Sequence, residues 1–264
     1  MGTFSRRVVY FISAALILGV IYCAEVYGYV QIKFRRMQVV SAPVFLGHPV
    51  QVGARPLWFL HKINSSARAQ RKENHFDGYE VDLWVKDGKI YVAHDEKELK
   101  KKITFSEILE SLSRPEDKFW WLDLKMPMGE TELDAILQET ARFRIPPDHL
   151  FFEAYIGKTA TLIKEKKLQL LLQLPSGFSQ EEKDPAARSE LNEKLTALIR
   201  QYEPVAISAS FGKYRLLRAY FPDLPKAIYY SSAKSQRLKK YFMRKQFEKD
   251  PSVKIFMLEE YTYL

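Results

Sequence analysis

The chain has 264 residues, 47% of them hydrophobic and 28% charged, a composition that excludes a disordered or collagen-like polypeptide. That length suits one large domain, or a complete α/β barrel near the small end of its range. The formal charge of +9 is partly local, because residues 1–36 hold five basic residues and one acidic and leave +5 on the remainder. Cys23 is the only cysteine, which excludes an internal disulfide.

The N-terminus carries seventeen uncharged residues from Val8 to Ala24, and after Glu25 the apolar-aromatic run VYGYV continues it to Val30. At 1.5 Å per residue this stretch can cross a bilayer core of about 30 Å. Tyr10, Tyr22, Tyr27 and Tyr29 lie near its ends, where amphipathic aromatics favour the interface. No small-x-small cleavage site follows the apolar core, and bulky Tyr22 precedes Cys23, so neither a cleaved signal peptide nor a lipoprotein site is expected. Residues 1–36 therefore read as an uncleaved, single-pass membrane anchor. Arg6, Arg7 and the α-amine before the span are nearly balanced by Lys33, Arg35 and Arg36 after it. The positive-inside rule does not decide the side, with a slight preference for an extracytoplasmic barrel.

Residues 37–55 form a short connector, and 56–264 the main domain. Short apolar runs alternate there with helical patterns. Strands are expected at Leu57–Leu60, Tyr79–Leu83 with a hairpin partner Ile90–Ala93, Phe119–Leu124, Leu150–Phe152, Leu168–Leu172, Val205–Ala209, Ala227–Tyr230 and Val253–Leu258. Thr104-Phe-Ser-Glu107 is a capping box followed by the apolar stripe Phe105, Ile108, Leu109 and Leu112. Asp184-Pro185 begins another helix, whose stripe runs from Leu191 to Tyr202. Helical segments between strands predict βα units on a parallel sheet. Counting the hairpin once gives eight strand positions, the number of a closed (β/α)8 TIM barrel. Leu264 follows the eighth strand closely, so a final covering helix is not expected.

The densest basic segment runs from Lys234 to Lys249, with Leu238, Phe242 and Phe247 at helical spacing. It reads as an outer helix with a solvated basic face, or more sharply as a contact for anionic headgroups. Nucleic acid is not expected as a partner, because no recognised binding motif accompanies the charge.

Polar residues able to bind metal or move protons stand at successive strand ends. Glu80 and Asp82, two apart on one strand, point to the same face; two carboxylates so close repel unless a cation or shared proton intervenes. Hard oxygen ligands of this kind suit Mg²⁺ or Ca²⁺. Asp123, in the apolar FWWLDLKM, needs a cation or donors, and Lys125 is two residues on. His61 and His94 are suited to acid–base work near neutral pH. His48, His75 and His149 fall in connector, helix-end or loop positions and read as unremarkable.

His61-Lys62, Glu80-Val-Asp82, the turn KDGK, Val92-Ala-His94-Asp95 and Asp123-Leu-Lys125 together resemble the glycerophosphodiester phosphodiesterase group of phospholipase C-like barrels. HKINS and LDLK are nearer its menorin-like branch. The resemblance spans roughly residues 57–127. It implies acid–base roles for His61 and His94, and a divalent cation on Glu80, Asp82 and Asp123. Lys62 stands where arginine is usual and keeps the charge without a bidentate contact, and Asp123 stands where glutamate is usual.

The expectation is a membrane-anchored, metal-dependent hydrolase of a glycerophosphodiester or lysophospholipid-type substrate, with Lys62 and Lys125 balancing the phosphate charge. The alternative is a non-catalytic, membrane-tethered barrel that binds a lipid or glycan headgroup. A glycoside hydrolase using Glu80 and Glu153 would leave both histidines without a role.

Overall fold

The computed structural model describes residues 2–35, 55–174, 178, 185–230 and 237–258. The first element, α1 (Gly2–Arg35), contains the window Phe11–Ile32, with a mean hydropathy of 1.8, long and apolar enough to cross a membrane. Near its C-terminal end α1 packs on α8 (Arg237–Phe247). There Val30 is buried, and the rings of Tyr27 and Phe242 meet edge to face at 5.2 Å.

Eight parallel strands form the rest: β1 (Leu57–Leu60), β2 (Gly78–Lys86), β4 (Phe119–Leu124), β5 (Leu150–Ala154), β6 (Gln169–Gln173), β7 (Ala206–Ser210), β8 (Lys226–Tyr229) and β9 (Val253–Leu258). Each pairs with the next, and β1 pairs with both β2 and β9, so the sheet closes into a TIM barrel. The intervening helices are α2 (Ser66–Arg71), α3 (Phe105–Glu110), α4 (Glu130–Arg142), α5 (Lys158–Glu165), α6 (Pro185–Tyr202), α7 (Phe211–Tyr220) and α8. The capping box at Thr104 and Glu107 forms as read from the sequence.

The ninth strand, β3 (Lys89–Val92), is antiparallel to residues 83–86 of β2, and Tyr91 also bridges Thr104 on its other side. Asp87 and Gly88 both take positive φ, 51° and 71°, the backbone of a tight two-residue hairpin turn. This turn carries β2 to Lys86, three residues beyond the expected end at Leu83, and starts β3 at Lys89 instead of Ile90. Strands β6 to β8 differ from expectation by about a residue, a slip common at strand ends. The Asp184 cap, His48 and connector residues 37–54 lie outside the described residues.

Strand parity sorts the side chains into two cores. Outward residues such as Tyr79, Val81, Trp120, Leu122, Phe152 and Phe256 pack under the helices. The inward set Phe59, Trp121, Phe151, Leu171, Ala227 and Ile255 fills the lower barrel. Gly78 is required there, because a Cβ would come within 2.8 Å of the Phe59 ring. Above this apolar plug the inward positions turn polar, at the C-terminal ends of the strands where barrel enzymes carry their sites.

Candidate functional site

Glu80 and Asp82 point inward from β2 while Val81 and Leu83 pack outward, as the alternation requires. The sheet register places Asp82 beside Asp123 and Asp123 beside Glu153. Three adjacent strands thus carry carboxyls at one level, Glu80 lying one inward position lower on β2. All seven residues expected from the sequence line one cavity of about 220 Å³.

His61 follows β1 and extends its pairing, donating its N–H to the Leu258 carbonyl at 2.8 Å. Its Nε2 lies 3.8 Å from Glu80 Oε2. Burial, and then the charges of Lys62, Arg68 and Lys125, pull its pKa down to about 3, so the imidazole is neutral at physiological pH. Lys62 takes a left-handed φ of 57°, an uncommon conformation for a residue with a side chain. That turn aims its backbone N–H at Glu80 Oε2, 2.5 Å away, while Arg68 donates to the Lys62 carbonyl at 2.9 Å. His94 follows the end of β3 on the rim, where it is partly exposed, with Nδ1 3.4 Å from Asp95 Oδ1.

The carboxyl cluster is electrostatically loaded. Burial, with the charges of Asp82 and Asp123, raises the pKa of Glu80 well above the usual carboxylate range. Burial also raises that of Asp123, against the opposing pull of Lys125. The Lys125 ammonium bridges Asp82 Oδ1, at 2.7 Å, and Asp123 Oδ2. Burial works against its charge, but the two aspartates outweigh that and hold it protonated.

Glu80, Asp82 and Asp123 each offer one oxygen, all within 4.8 Å of one another. An all-oxygen set with more negative charge than one lysine balances suits a hard divalent cation, and the residues fit such an ion. Lys125 is close enough to share or to compete for two of the three carboxylates.

The rest of the cavity wall was not singled out as part of this site by the sequence. Glu153 accepts from Trp121 Nε1 at 2.8 Å and from the Ser208 hydroxyl. Burial first, and Asp123 second, raise its pKa to about 8. Gln173, Tyr229 and Met257 complete that side. The missed signal was parity: each is an inward position near the C-terminal end of its strand, as Asp123 is on β4.

No protein-family model matches the chain, and no curated protein sequence matches it. Among solved structures, a glycerophosphodiester phosphodiesterase from Parabacteroides distasonis aligns at 13% identity and a TM-score of 0.50, covering 78% of this chain and 93% of that one. An Oleispira antarctica phosphodiesterase solved with its product sn-glycerol-3-phosphate aligns at 12% identity and 0.49, covering 79% and 94%. N-(5'-phosphoribosyl)anthranilate isomerase from Pyrococcus furiosus aligns at 14% and 0.49, covering 79% and 90%. At 13% identity the likeness to the Parabacteroides distasonis protein shows the fold alone, a TIM barrel.

Proposed function

We propose that the chain is a membrane-anchored phosphodiesterase dependent on a divalent cation, cleaving a glycerophosphodiester or lysophospholipid-type substrate. One observation carries this reading: three carboxylates, two imidazoles and two lysines from four separate segments converge on one cavity at the barrel mouth. The motif order His-Lys, Glu-x-Asp, His-Asp, Asp-x-Lys supports it, and so does α1, read as the anchor over residues 1–36.

Glu80, Asp82 and Asp123 would hold the cation, Mg²⁺ or Ca²⁺. Bound there, it supplies charge neutralisation at a non-bridging phosphate oxygen and a lowered pKa for the attacking oxygen. The remaining work falls to the chain's own groups. The Lys62 backbone N–H fixes the Glu80 carboxylate, and the Lys62 and Lys125 ammonium groups balance the phosphate charge. His61 is already in its neutral, proton-accepting form, and an anionic phosphate beside it raises its basicity. His94, on the open rim, donates a proton to the departing oxygen.

The non-catalytic reading draws on one observation of its own: the Lys125 ammonium pairs with two of the three carboxylates, Asp82 and Asp123. Hydrolysis of a panel of glycerophosphodiesters and lysophospholipids, with and without EDTA, separates the two. Cation-dependent release of an alcohol supports the enzyme, whereas headgroup binding without turnover supports the binding barrel.

A further inference from the structure

Beside the polar cavity, between the loops that follow β4 and β5, lies a second cleft of about 230 Å³. Its walls are mostly apolar, with Leu124, Met126 and Pro127 on one side and Ala154, Tyr155 and Ile156 on the other. Among the described residues, Tyr155 and Ile156 are the only exposed large hydrophobic side chains outside α1, at 61% and 43% exposure. Apolar side chains left exposed together beside a site suggest a ligand surface. Gly157 turns the chain at a φ of +137° that other residues rarely adopt, so the pair sits at the rim before α5 begins. The loop after β4 is tied to the first turn of α5 by the Thr159 hydroxyl, which accepts from the Met128 N–H at 2.9 Å. The cleft is therefore built before any ligand arrives.

Lys125 lines both cavities. Neither alone reaches the roughly 300–1,000 Å³ of a site for a whole small molecule, and the two joined do. We infer that the apolar cleft is the subsite for a single acyl or alkyl chain of the same diester whose phosphate lies in the polar cavity, with Lys125 at the junction. This rests on the phosphodiesterase reading and narrows its substrate class from glycerophosphodiesters or lysophospholipids to single-chain lipid phosphodiesters.

The test uses the full chain in nanodiscs of a zwitterionic diacyl lipid, with a series of diesters that differ only in acyl-chain length and stay monomeric in water. The expected result is a rise in kcat/KM of about twofold per added methylene, half the effect of a fully buried CH₂ at about 0.8 kcal/mol. In Ile156→Asp, the ratio of kcat/KM for the longest diester to that for the chain-free one should fall about tenfold. Turnover of every diester with no dependence on chain length would overturn the subsite and leave the phosphodiesterase standing. A chain dependence that appears only with vesicle-bound substrate would assign the rim to the bilayer surface and likewise overturn it. If no diester is cleaved, the phosphodiesterase reading fails, and equilibrium binding of the same series to the EDTA-treated protein still decides the cleft. Tighter binding with each methylene, weakened in Ile156→Asp, supports it, and chain-independent binding overturns it.

Discussion

Glu153 accepts hydrogen bonds from Trp121 and Ser208 at a fully buried position, and its pKa rises from the usual 4.5 to about 8. In the chelated protein a group whose folded pKa is raised binds its proton more tightly folded than unfolded. Its stabilisation is complete below the unfolded pKa and is lost as pH climbs toward 8. Glu153→Gln keeps the shape without the titration, so its stability should be flatter than the wild type between about pH 5 and about pH 8, by a few kcal/mol. Urea unfolding at the two pH values measures this, and parallel profiles would show that Glu153 does not titrate there. His94 makes a different prediction. His94→Ala should slow diesters with poor alcohol leaving groups about 10²-fold more than an activated nitrophenyl ester, because only the former need a general acid. Equal losses on both substrates would mean that His94 is structural or that His61 holds its role.

At the scale of elements, the junction of β8 and β9 rests on a buried lysine. Lys226 Nζ donates to the carbonyls of Phe221, Pro222 and Leu224 and to Ser252 Oγ, at 2.8 to 3.1 Å. Asp250 in turn accepts from Tyr214 and Ser252. Lys226→Met would strand three carbonyls in the interior and should cost about 3 kcal/mol or more, read as a lowered urea midpoint; an unchanged midpoint would mean that water replaces the ammonium. Lys226 falls one residue before the strand expected from the sequence to begin at Ala227. Nothing local marks a lysine whose acceptors come from a preceding turn and from the turn that leads into β9. The barrel itself was legible because its strands are apolar runs bounded by caps and prolines, and parity then aimed Glu80, Asp82 and Asp123 inward. The length of β2 was not, since Trp84 to Lys86 are held by a turn whose two positive φ values follow from Asp87-Gly88. Glu153, Gln173 and Tyr229 went unread as one wall because closure of the barrel, not spacing along the chain, brings them to the cavity.

For the molecule as a whole, α1 does more than carry an apolar window. Its end packs on α8, burying Val30 and seating Tyr27 on Phe242. A protein cut to begin at residue 37 loses both contacts, whereas one beginning at Glu25 keeps them. The shorter form should be less stable by about 1.5–3 kcal/mol, the scale of one buried aliphatic side chain. Denaturant unfolding of the two forms measures the difference, and equal stabilities would make α1 a tether that leaves the barrel mechanically independent. If the docking holds, the barrel is fixed to the end of the apolar helix, and residues 37–55 do not alone set its distance from a bilayer.

The central claim is that Glu80, Asp82 and Asp123 form a cation site on which phosphodiester cleavage depends. The most direct measurement follows cation stoichiometry and hydrolysis together, in the wild type and Asp82→Ala, after chelation and stepwise return of Mg²⁺ or Ca²⁺. A single bound cation should restore cleavage in the wild type, and Asp82→Ala should lose both binding and cleavage while keeping its fold by circular dichroism. Full hydrolysis in EDTA after thorough dialysis, or unaltered cation binding in Asp82→Ala, would contradict it.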